Sequence, residues 1–132
     1  MRNTLIFSLA IIIFSAFAGL SCKKKSSQLP EENLRISIDA PPYSEIPGPG
    51  FDFNLVVESV MPAAGVKIVS VVQVEANNQI ISLGPDSETT NKISKISINN
   101  LPRQKICICT ITVTSKRRST NTATINFRVV YK

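Results

Sequence analysis

Histidine and tryptophan are both absent from this 132-residue chain. Without an imidazole there is no Ser–His or Cys–His nucleophile pair, which excludes the commonest hydrolase constellations. Zinc loses its usual nitrogen ligand for the same reason, and a closed site needs about four ligands. Without an indole, sugar binding by ring stacking is disfavoured. Glycine is scarce, and the one close pair, Gly48 and Gly50, is interrupted by Pro47 and Pro49. No glycine-rich phosphate cradle is therefore present. Acidic residues number nine against fifteen basic ones, a net charge of +6. So mild an excess suits a domain near anionic lipid or glycan and predicts no nucleic-acid partner. The carboxylates show no catalytic spacing. Asp86 and Glu88 share a polar stretch with Ser87 and Thr89, but lack the ligand count and glycine of a calcium loop. The composition predicts no enzyme, no cofactor and no metal.

What is present begins at the N-terminus. Arg2 opens the chain, Leu5 to Leu20 is almost wholly apolar, and Ser21-Cys22 closes the run before Lys23-Lys24-Lys25. A charged start, an apolar middle and a small residue at the boundary are the parts of a secretory signal. An uncleaved anchor competes with it, because the uncharged run approaches the about 20 residues of a spanning helix. Lys23 to Lys25 outweigh Arg2 and would leave such an anchor's C-terminus cytoplasmic. The cysteine at the boundary, after a small residue, decides for cleavage.

Gly19-Leu20-Ser21-Cys22 resembles the lipobox of bacterial lipoproteins, with the leucine one place later than usual. The resemblance implies that residues 1–21 are removed and that Cys22 is acylated, making membrane lipid the first partner. Several acyl chains hold effectively permanently where one holds only marginally. It also implies a bacterial cell-envelope location. The basic run after Cys22, where some lineages carry an acidic surface-export run, favours an outer-membrane protein facing the periplasm, with surface exposure as the alternative. Residues 22–33, polar and containing Pro30, then form the lipidated cysteine and a tether.

From Leu34 onwards the apolar residues recur with period two, in segments divided by Pro, Gly and Asn. Leu34, Ile36 and Ile38 start the series. Pro41 to Gly50 reads as a loop, since proline cannot donate to a central ladder. Phe51, Phe53, Leu55 and Val57 alternate with polar residues. Val66 to Glu75 is apolar on both faces, as a central strand would be. Asn77-Asn78 marks a tight turn into a strand over 79–83, and Gly84 to Asn91 reads as a polar loop. Ile96 and Ile98 share a face. Cys107, Cys109, Ile111 and Val113 oppose Thr110, Thr112 and Thr114, and a hairpin tip over Lys116 to Asn121 leads to a last strand ending at Tyr131. Seven strands over 34–132, without helical periodicity, predict a single all-β two-sheet sandwich.

Ile96-x-Ile98-x-x-Leu101-Pro102, followed by Cys107-x-Cys109-x-Ile111-x-Val113, resembles the corresponding stretch of a fibronectin type III domain. Cys107 stands where that family carries a tyrosine, and its early core tryptophan is missing. The resemblance implies an immunoglobulin-like sandwich of seven strands.

Cys107 and Cys109 would lie about 6.6 Å apart on one strand face. Their Cβ vectors run side by side, whereas a disulfide needs converging vectors at about 5.5–6 Å. Two buried free thiols acting as small hydrophobes are expected. The densest charge cluster is Lys116-Arg117-Arg118, whose guanidinium forks would match phosphate or sulfate oxygens. The sequence therefore predicts a lipid-anchored, non-catalytic binding, scaffold or accessory module with a protein or glycan partner in the envelope. The alternative is a polyanion- or glycan-binding module using residues 116–118.

Overall fold

The computed structural model describes residues 29–84 and 86–132. The expected signal segment 1–21 and the expected lipid site Cys22 lie outside the described residues. Nine strands run in chain order: β1 (Ile36–Ile38), β2 (Tyr43–Ile46), β3 (Phe51–Val57), β4 (Val66–Val74), β5 (Ile80–Leu83), β6 (Ser87–Thr89), β7 (Ile93–Ile98), β8 (Ile106–Ser115) and β9 (Thr122–Tyr131). Among the described residues there is no helix.

The strands form two sheets. One has the order β1-β3-β7; the other runs β2-β9-β8-β4-β5, with β6 also paired to β4. The alternation seen in the sequence sets which face each strand buries. On β8, Cys107, Cys109, Ile111 and Val113 point inward and are fully buried. The threonines between them face outward, where the Thr112 and Thr114 hydroxyls pair across the ladder with Thr124 and Thr122. Phe53 and Leu55 bring the facing surface from β3. Phe53 meets Phe127 of β9 edge-on with ring centroids 4.9 Å apart, and Phe51 lies 5.8 Å from Phe53. That cluster and the aliphatic residues around it form one core between the sheets, so the fold is an all-β sandwich.

Two of the nine strands correct the expected seven. β2 lies inside the stretch read as a loop, and β6 inside the polar stretch 84–91. The proline argument excluded a central strand, and β2 is an edge strand. Its four residues fall between Pro42 and Pro47, and they pair in parallel with Arg128 to Tyr131. Pro42 still takes part through its carbonyl, which accepts the Arg128 N–H at 2.9 Å. β6 is held by three pairs to β4, Val66↔Thr89 to Ile68↔Ser87, which needs no apolar alternation. The chain thus crosses from one sheet to the other at Pro41-Pro42, between Ile38 and Tyr43.

The register defines two ends. At one, Ser115 pairs with Val66 and Val57 with Ile36, so residues 31–35, the loop 58–65 and the tip 116–121 gather there. Gly65 in that loop has φ +80, and a Cβ there would sit 2.5 Å from the Thr89 carbonyl oxygen. At the other end, Cys107 pairs with Val74 and Ile46 with Tyr131, which collects residues 47–50, 75–79 and 99–105. The three non-glycine residues with positive φ among the described residues, Asn78, Asn100 and Gln104, all lie at this second end.

Candidate functional site

Asn121 organises the first end. It closes the hairpin tip, where its N–H donates to the Arg118 carbonyl and its own carbonyl accepts from the Ser115 N–H. Its side chain is almost completely buried. The Oδ1 atom accepts the Leu34 N–H at 2.8 Å, and Nδ2 donates to Glu31 Oε1 at 2.6 Å and to the Glu32 carbonyl at 2.8 Å. Glu32 in turn accepts from Arg35 at 3.0 Å and from the Val60 N–H at 2.8 Å. Residues 31–33, expected in a tether, are thereby stitched to the domain. The Asn121 bond, aided by the charges of Arg118 and Arg117, holds the Glu31 carboxyl below its ordinary range.

The three basic residues of the tip do not form one free cluster. Lys116 pairs with Glu88, and Arg118 donates to Asn33 Oδ1 at 2.8 Å. The Ser115 hydroxyl accepts the backbone N–H groups of Arg117 and Arg118, both at 3.2 Å, which fixes the turn. Among the described residues, only the Arg117 side chain of the three makes no hydrogen bond or ion pair. It borders an apolar cleft of about 310 Å³ with Leu29, Val60 and Met61.

Cys107 and Cys109 are free and buried, as the strand geometry required. Burial pushes the Cys109 thiol up to about 12, with Cys107 beside it acting in the same direction. Such thiols are poor nucleophiles and poor metal ligands. The acidic pair of the β6 region is committed to lysines: Asp86 to Lys67 at 2.5 Å and Glu88 to Lys116. No cluster of three or more potential metal-ligating side chains occurs among the described residues.

At the second end a cleft of about 350 Å³ opens between the turn after β4 and the loop before β8. Val74, Ala76 and Ile106 give it an apolar floor, and Glu75 and Lys105 stand at its rim. Glu75 is paired with Arg128 at 2.7 Å. The site can accept an apolar side chain flanked by charge. Sequence reasoning missed both this cleft and the Asn121 clamp. Ile106 offers the one visible signal for the cleft, because its apolar side chain falls on the outward parity of β8.

No family model and no curated protein matches the chain. Among solved structures, it is similar to the CARDB domain of the PF1109 protein from Pyrococcus furiosus, crystallised in complex with di-metal ions. The identity is 15%, the match covers 76% of this chain and 97% of that one, and the TM-score is 0.36.

Proposed function

We propose that this is a lipid-anchored protein of the bacterial cell envelope, held through Cys22, whose immunoglobulin-like domain acts as a non-catalytic binding or accessory module. The observation that carries the proposal is the opposition of the two ends. The chain enters the domain at Glu31 to Arg35, pinned by Asn121, while the cleft under Ile106 and the left-handed residues Asn78 and Gln104 lie at the other end. A membrane attachment before residue 29 would leave that second end facing outward, available to a protein or glycan partner. Backbone in sparsely populated conformations concentrates where recognition occurs, and turn clusters at the ends of sandwiches are common binding sites. The immunoglobulin-like assignment draws support from the strand order and from the crossing at Pro41-Pro42. The lysines after Cys22 support placement on the outer membrane facing the periplasm, with surface exposure as the alternative.

Engagement of Lys116 by Glu88 and of Arg118 by Asn33 weakens the alternative of a polyanion site at the tip. The deciding experiment is metabolic labelling with an alkyne fatty acid in cells expressing the wild type or Cys22→Ser. Label on the wild type, lost in the variant along with membrane fractionation, supports the proposal. An unlabelled wild type with an intact N-terminus overturns it.

A further inference from the structure

We infer that the end bearing the hairpin tip is a membrane seat: Leu29, Val60 and Arg117 rest in the headgroup layer of an anionic bilayer, so the domain stands on its anchor. This rests on the attachment at Cys22 proposed above. Leu29 is 86% exposed and Val60 67% exposed, two large apolar side chains at one end of the sandwich. They border the same cleft, with half-buried Met61 behind them and Arg117 at its edge. Core packing does not explain their exposure. An apolar pair beside a cation is the pattern of a surface that enters a bilayer interface.

Position strengthens the assignment. Val60 is tied to the entering chain by its N–H on Glu32, and that chain is tied to Asn121. The patch therefore keeps a fixed relation to the point where the anchor arrives. Cys22 precedes Leu29 by seven residues, about 24 Å of chain when fully extended at about 3.4 Å per residue. An acylated Cys22 keeps this end within that distance of the lipid. Charge agrees as well. Lys116 is paired with Glu88 and Arg118 with Asn33, so among the described residues Arg117 is the tip cation left without a hydrogen bond or ion pair, and it borders the cleft.

The test uses the full lipoprotein reconstituted in vesicles of phosphatidylethanolamine and phosphatidylglycerol. An environment-sensitive fluorophore is placed through Val60→Cys or, at the opposite end, Ile80→Cys, a position of similar exposure. Wild-type protein, whose two domain thiols are buried, serves as the labelling blank. The expected result is several-fold stronger quenching by nitroxide lipids at position 60 than at position 80, with a blue shift. Leu29→Asp with Arg117→Glu should abolish that difference while leaving acylation and pelleting with membranes intact. Equal quenching at the two positions, in protein whose mass confirms the lipid, overturns the seat and leaves the anchor standing. Protein that carries no lipid overturns both.

Discussion

Replacing Asn121 by alanine should cost about 1.5–4.5 kcal/mol, a large share of the about 5–15 kcal/mol that holds a small domain together. The figure follows from what the side chain touches. Truncation strands the buried Leu34 N–H, at about 1–3 kcal/mol for a desolvated donor left without an acceptor. It also removes the bond to the Glu32 carbonyl, a neutral bond contributing about 0.5–1.5 kcal/mol. The bond to Glu31 is left out of the sum, because truncating Asn121 also changes the ionisation of that half-buried carboxyl, which the bond holds below its ordinary range. Backbone bonds at the tip survive in the variant, so the loss is specific to the side chain. Urea unfolding of wild type and Asn121→Ala measures the total, and hydrogen exchange at the Leu34 amide locates it. A loss below about 0.5 kcal/mol, the range of an ordinary surface change, with Leu34 still protected, would refute the clamp. Asn121→Asp sharpens the test: it keeps an acceptor for Leu34 but sets a second carboxylate against Glu31, and should regain stability in acid.

Glu31→Gln gives a pH-dependent counterpart. The folded-state pKa of Glu31 lies below its ordinary 4.5, so its contribution is present above that value and fades as pH falls through the folded one. The gap between wild type and variant in urea midpoint should therefore shrink from pH 7 towards acid; a constant gap would contradict the assignment. Cys107 and Cys109 should resist iodoacetamide at pH 8 in the native protein and react fully in denaturant, as read by mass; native labelling at the rate of a free thiol would show that the β8 face opens. Phe127→Ala removes the ring that contacts both Phe51 and Phe53 and should cost about 3–5 kcal/mol; denaturant unfolding with a loss under 1 kcal/mol would mean that the aromatic cluster is not central to the core.

Strands that bury one face announce themselves. The alternations of Phe51 to Val57 and Cys107 to Val113 were readable because every second side chain enters the core. β2 and β6 carry no such pattern: they sit at or near sheet edges and owe their form to partners elsewhere, Arg128 to Tyr131 for one and Val66 to Ile68 for the other. The clamp was illegible for the same reason. Glu31 and Asn121 are ninety positions apart, and neither belongs to a motif. Local spacing did place residues 116–121 at a hairpin tip, yet it could not tell which of its cations were already occupied. The free thiols of β8 were predictable because the side-by-side Cβ vectors of a regular strand disfavour their bridge.

The parallel ladder between β2 and β9 has a mechanical consequence. Tension between the entering segment and the end of β9 would drag the two strands in opposite directions along their length. Bonds such as Arg128 to Pro42 and Lys132 to Ile46 would then be sheared together, not peeled apart singly. A domain tethered at one end and gripped at the other would resist extension collectively, with Pro41-Pro42 as the link that transmits load between its two layers.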